Sequence, residues 1–193
     1  MHNRPNRMPP IPVAEMTPAQ RVAAEEIASG PRGTLRGPFI PMIRSPEFMR
    51  RAQKLGEYLR FDNALPTAIK EFIILVIAGH HRQAYEWHVH CPLALKAGVT
   101  REIVVALSEG SPLQNLSAQQ QAAYEFCQQL MRNCYVEDAG YEAMKAQFGE
   151  QGVMDLIGMV GYYTMLAMIL NTAHSPLPDG APAAFSVPDS AGE

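Results

Sequence analysis

No Cys-x-x-Cys pair occurs anywhere in the 193 residues, and the three cysteines, Cys91, Cys127 and Cys134, fall at irregular intervals. An odd, irregular set is not a disulfide framework. No His-Glu-x-x-His motif and no Cys/His pairing at zinc spacing is present either, so no metal site is expected. Runs of lysine or arginine are missing, and the formal net charge is -3. Phosphate binding wants a basic surface, so nucleic acid is not an expected partner. Residues 1–18 are polar and proline-rich. They lack the apolar run of ~7–15 residues that an export signal carries. The most apolar stretch, residues 153–170, is interrupted by Asp155, Tyr162 and Tyr163. It reads as a buried core or interface helix rather than a membrane span. These absences point to a cytoplasmic chain with no membrane partner.

What is present is globular. Hydrophobic residues make up 47% of the chain and charged residues 18%, which suits a packed core. Thr17 and Pro18 open a first helix that Gly30 stops. Residues 30–46 carry four prolines and three glycines. They must form a structured loop, because Leu35, Phe39, Ile40, Met42 and Ile43 are too apolar to leave in water. Ser45 caps a helix from 46 to about 59. A helix over 66–79 follows, with Ile69, Phe72, Ile73, Val76 and Ile77 at helical spacing. Further helices are predicted over 83–97, ended by Gly98; from Thr100 to near Gly110; and over 117–133, 137–148 and 150–170. No strand pattern and no fixed-period repeat is found. The prediction is an all-α bundle of about seven to eight helices. Residues 1–34 form an arm and first helix, 35–174 the helical domain, and 175–193 a Pro/Ala/Gly-rich tail that is extended or partly disordered.

Chemistry concentrates in residues 71–100. Glu86 and His90 are four apart and share one helix face. A carboxylate beside an imidazole makes a proton-transfer pair near neutral pH. The same spacing also occurs as an ordinary helix-surface contact worth about 0.2–0.5 kcal/mol. An antiparallel hairpin could bring Glu71 to the same face. Four histidines lie between 80 and 90, but His88 and His90 point to nearly opposite sides of a helix and cannot share an ion. His80 and His81 sit where a helix ends and its dipole favours a cation. Cys91 is badly aimed for pairing with His90, since adjacent helical residues diverge by about 100°. It reads as a small core residue. Tyr85 and Trp87 read as packing residues. Met154, Met159, Met165 and Met168 read as core or subunit contacts.

At these residues the sequence resembles the carboxymuconolactone decarboxylase family, which shares a fold with the alkyl hydroperoxidase D proteins. The redox members of that group carry a glutamate, eleven residues, Cys-x-x-Cys, three residues and a histidine. On this chain the glutamate falls on Glu71, the histidine on His90, and the two cysteine positions on Gln83 and Glu86. The decarboxylase-like pattern Tyr-Glu-Trp-x-x-His reads here Tyr85, Glu86, Trp87, His88, Val89, His90, followed by Cys91, Pro92, Leu93 and Ala94, then Ala97 and Gly98. Leu65, Pro66 and Glu71 resemble the family's entry into the hairpin. Arg36 to Phe39 and Ser45 to Glu47 resemble the N-terminal region of its longer members. The likeness covers about residues 35–174.

The resemblance implies a cofactor-independent lyase acting on a small unsaturated lactone or carboxylic acid, with Glu86, His90 and Glu71 as the catalytic set. It implies substrate contacts from Arg82, Arg36, Trp87 and His81, no metal, and assembly as a homo-oligomer, a trimer or hexamer. Disulfide-cycling peroxide reduction is not expected, because it needs an attacking thiolate and a resolving cysteine. Gln83 and Glu86 supply neither. Lactone isomerisation or hydrolysis on the same pair, peroxidase chemistry through Cys91 alone, and non-catalytic binding of a small acid are the other readings.

Overall fold

The computed structural model describes residues 5–30 and 32–187. Among them it is all-helical, with eight α-helices and no strand. The chain forms two compact units: Met1–Asp62 with Met165–Pro176, and Asn63–Thr164 with Leu177–Glu193.

In the first unit, α1 (Pro18–Ala28) starts at Thr17 through a capping box. The Thr17 hydroxyl accepts from Gln20 N at 3.3 Å, and the Gln20 side chain accepts from Thr17 N at 2.9 Å. Two donors that the helix start leaves unpaired are thereby satisfied. The proline-rich loop hides a short helix that its composition conceals, α2 (Phe39–Met42). Pro41 is tolerated there because the first turn needs no intrahelical N–H donor. Phe39, Met42 and Ile43 are buried, as the loop's apolar content requires. Next comes α3 (Pro46–Glu57), which buries Met49, Ala52, Gln53 and Gly56. Ser45 occupies its N-cap position but its side chain makes no capping bond, contrary to expectation. Beyond Glu57 the helix continues as a π-turn, Tyr58–Asp62. Arg50 joins α3 to Glu26 of α1 at 2.7 Å, an exposed pair of small energetic worth. The arm is tied down where Arg7 N donates to Ala173 O at 2.8 Å.

The second unit is organised by α4 (Thr67–His80), in which every residue from Ile69 to Ala78 is buried. A helix buried on every side, with only Lys70 and Glu71 polar in that run, belongs in the middle of its neighbours. Those neighbours are α5 (Ala84–Lys96), α6 (Arg101–Glu109) and α7 (Ala118–Asn133). Side chains of Thr100 and Ser117 cap α6 and α7, and Gly110 ends α6 in the left-handed conformation, the arrangement their sequence predicts.

The last element, α8 (Asp138–Ala173), is broken at Gly149, whose φ of 67° and ψ of 178° lie outside helical space. Only glycine adopts that conformation without strain. The two arms, 138–148 and 150–173, match the two helices read from sequence. At Gly152 a Cβ would run into the Phe148 side chain, so the bend needs a second glycine. Asp155, the charge that interrupts the apolar run, accepts from Ala64 N at 2.9 Å and anchors the turn before α4. By length and composition α8 could cross a membrane, but 56% of its apolar window is buried, as in a core helix. Met159 is core, whereas Met154 and Met168 are exposed in the single chain.

Candidate active site

Everything central to the site hangs on the hairpin between α4 and α5. The connection is only three residues, and Arg82 turns it with a φ of 48°, a left-handed conformation uncommon outside glycine. Gln83 then caps α5, its Oε1 accepting from Tyr85 N at 2.6 Å and from Glu86 N at 3.3 Å. Glutamine is not a usual cap residue, so this role was not legible in the sequence. The tight hairpin lays α5 back along α4 and sets Glu71 opposite His90.

His90 lies between two carboxylates. Its Nδ1 is 2.6 Å from Glu71 Oε2, and its Nε2 is 3.5 Å from Glu86 Oε2. All three residues are buried, with exposures of 7% for Glu71, 5% for Glu86 and 2% for His90. With Glu71 as the acceptor, Nδ1 donates, and the bond is short and charge-assisted. That bond fixes the ring's tautomer and aims Nε2 at Glu86. The looser Nε2 contact is an ion-pair distance rather than a tight hydrogen bond. Tyr163, from the second arm of α8, meets the imidazole edge-on with ring centroids 5.6 Å apart. Sequence reading missed Tyr163, because nothing local links it to residue 90.

Glu71, Glu86 and His90 lie within the segment 46–128, which matches the model of the Carboxymuconolactone decarboxylase family. Over that segment the chain is similar to the carboxymuconolactone decarboxylase family. Its fold is shared with the alkylhydroperoxidase AhpD core, an uncharacterized peroxidase-related protein of Ralstonia eutropha JMP134. That match has a TM-score of 0.73 and 16% identity over 91% of this chain and 94% of that one. An uncharacterized peroxidase-related protein of Silicibacter sp. TM1040 matches with a TM-score of 0.71 and 14% identity, over 95% and 97% of the two chains. At those identities the likeness speaks for the fold alone. No curated protein matches the chain.

Of the remaining predicted site residues, Trp87 and Arg82 meet the C-terminal tail. Trp87 is buried at 1% exposure, and its indole N–H donates to Ser186 O at 3.1 Å. Phe185 stacks against it at 5.3 Å. Arg82 lies with its guanidinium 4.0 Å above the Phe185 ring and donates to Ser108 O at 3.4 Å. The tail was expected to be extended or partly disordered. Over 175–187 it is indeed without helix or strand and lies as a strap over one face of α5, and residues 188–193 lie outside the described part. A cavity of about 90 Å³ beneath the strap is lined by Trp87, His88, Cys91 and Pro92 together with tail residues. Cys91 faces this side, 3.9 Å from Ser186 O, and so points away from His90 as helical geometry demands. Arg36 belongs to the first unit, where it lines a cavity with Arg32 and Arg60.

His81 is half-buried, with Nε2 3.1 Å from Thr164 Oγ1 and its ring edge-on to His80 at 4.9 Å. Burial first, then the charge of His80, lowers its pKa below the ordinary 6.5. The folded state therefore takes up this proton less readily than the unfolded one. Stability from His81 is complete above the ordinary value and is lost as pH falls through the lowered one. Thermal melts of His81→Gln and the parent protein should differ in their pH dependence in that window, the parent falling more steeply. Parallel curves would show that His81 carries no such linkage.

Proposed function

We propose that this protein is a cofactor-independent carboxy-lyase acting on a small unsaturated carboxylated lactone or acid. The observation that carries the reading is the buried chain Glu71, His90, Glu86, held at 2.6 and 3.5 Å. Both imidazole nitrogens face carboxylates, so His90 is an interior link. Glu71 makes the short bond and orients the ring. Glu86, on the looser contact, is the group that exchanges a proton and meets the substrate. In the reaction the bond between carbon and carboxylate breaks, its electron pair enters the conjugated system, and CO₂ leaves. Glu86 as the acid returns a proton to carbon, and His90 replenishes it. A site that keeps water from the carboxylate favours its departure. The balance needs one proton per turnover, which solvent supplies through the Glu/His pair.

Support for the lyase over peroxide chemistry comes from sulfur. The two positions where redox relatives keep cysteine hold Gln83 and Glu86. Burial pushes the Cys91 thiol up to about 11 and the Cys127 thiol up to about 12. With a pKa near 11, only about 10⁻³ of Cys91 is thiolate at pH 8. In the folded protein, Ellman's reagent should therefore modify exposed Cys134 rapidly and the other two only on unfolding. Cys91→Ser should leave any peroxide consumption unchanged. Fast labelling of Cys91, or loss of a peroxidase rate in the serine variant, would favour the thiol route.

The same proposal includes a homo-oligomer, trimer or hexamer, supported by Met154 at 64% and Ile157 at 37% exposure on one face of α8. Apolar side chains set three apart on a helix form a contiguous strip that a second copy can cover. The test of function is a screen of unsaturated lactones and acids from aromatic catabolism, read by mass, with His90→Asn as control. Loss of CO₂ from a substrate by the parent alone supports the reading. A gain of water or an unchanged mass with altered absorbance would instead indicate hydrolysis or isomerisation.

A further inference from the structure

The first unit contains a second concavity, of about 150 Å³, lined by Arg32, Thr34, Arg36, Phe39, Arg60 and Phe61. Three guanidinium groups line it and no carboxylate does. None of the three arginines takes part in an ion pair among the described residues. The unit does not lack acids: Arg50 and Arg51 nearby in sequence are paired with Glu26 and Glu47. The arginines of the cavity are left without a counter-charge while others are supplied with one.

Two of the three, Arg32 and Arg60, are held against aromatic rings. The Arg32 guanidinium lies 4.7 Å over the Phe39 ring, and that of Arg60 lies 5.4 Å over Phe61. Stacking on an aromatic face holds the planar fork in orientation and leaves its edge for a ligand. Arg32 Nε is buried and has no hydrogen-bond partner. Buried donors are satisfied in nearly all folded proteins, so one that is not marks a place for a ligand oxygen or an ordered water. Three like charges around so small a space also repel one another, and an anion relieves that repulsion.

We propose that this cavity binds a small planar dicarboxylate, one aromatic or conjugated ring carrying two carboxylates. Two negative charges offset most of the three positive ones. Each carboxylate matches a guanidinium fork, and the Thr34 hydroxyl can donate to a remaining oxygen. The two phenylalanine walls suit a flat apolar body, and a cavity of roughly 150 Å³ is the size that accepts one benzene ring. The assignment rests on residues of the first unit alone and is independent of the reaction proposed for Glu86 and His90.

The test is calorimetric titration of the full chain with benzene-1,3-dicarboxylate, alongside benzoate and inorganic phosphate. The expected result is saturable binding of one dicarboxylate per chain, weakened by added salt. It should weaken about tenfold in Arg32→Gln and in Arg60→Gln, with benzoate weaker than the dicarboxylate by a similar factor. Binding should be unaltered in His90→Asn, which separates this cavity from the acid–base site. The ligand-free melting temperature of Arg60→Gln should equal or exceed the parent's, since a repulsion is removed. Absence of saturable binding at millimolar ligand would overturn the assignment. So would equal affinity in both arginine variants, equal binding of phosphate, or loss of binding in His90→Asn.

Discussion

His90→Asn should lower turnover of the lyase substrate by about 10²-fold or more while leaving the fold intact. Asparagine places an amide N–H close to where Nδ1 stands, so Glu71 keeps a donor. What disappears is the titratable Nε2 facing Glu86, and with it the route that replenishes the proton. His90→Ala removes both. Glu71 is then a buried carboxylate set against a methyl group, and breaking such a buried pair costs about 3–5 kcal/mol. The two variants therefore separate chemistry from stability. The asparagine protein should be inactive with a near-parental urea midpoint, and the alanine protein inactive with a much lower one. An asparagine variant with parental turnover would remove His90 from the mechanism. A fully stable alanine variant would contradict the burial and bonding described for Glu71.

The second large effect is expected at Trp87. It is the only tryptophan in the chain. It is fully enclosed, stacked against Phe185 and bonded to Ser186 O. Truncation to alanine removes a large apolar side chain and leaves the strap without its seat. Losses of about 3–5 kcal/mol are typical for Trp→Ala in a core, against a whole-domain stability of about 5–15 kcal/mol. Urea unfolding followed by circular dichroism should show that loss, and limited proteolysis should show early cleavage within residues 177–187. A loss below about 1 kcal/mol would mean that the strap and its tryptophan are peripheral to folding. Because Arg82 lies against Phe185, the same variant frees the guanidinium read from sequence as a candidate substrate anchor.

Much of this architecture was legible in the residues because it is local. Thr17, Thr100 and Ser117 announce helix starts through capping chemistry that operates within three residues. Gly98 and Gly110 announce ends, and the apolar content of 30–46 requires burial whatever its backbone does. The pairing of Glu86 with His90 follows from the helical repeat, and the aim of Cys91 away from His90 follows from the same geometry. The unread parts depend on contacts distant in sequence. Tyr163 reaches His90 across more than seventy residues, and Asp155 satisfies Ala64 N across ninety-one. The strap looked like a disordered tail because its composition is Pro/Ala/Gly-rich. Yet one aromatic, Phe185, finds a partner in Trp87, and that is enough to seat it. Glu71 was the exception among long-range assignments: the family resemblance supplied the register that periodicity could not. Arg36 lies in the first unit, and no local pattern in the sequence ties it to the hairpin.

Proton delivery by the Glu86–His90 pair is tested most directly by running the reaction in D₂O and locating the label. The parent protein should place one deuteron on the carbon of the conjugated system that takes the proton, on a single face. Glu86→Gln should remain folded and lose both the rate and that stereochemistry. A Glu86→Gln protein that still delivers a deuteron at the parental rate to the same face would contradict the role assigned to the carboxyl.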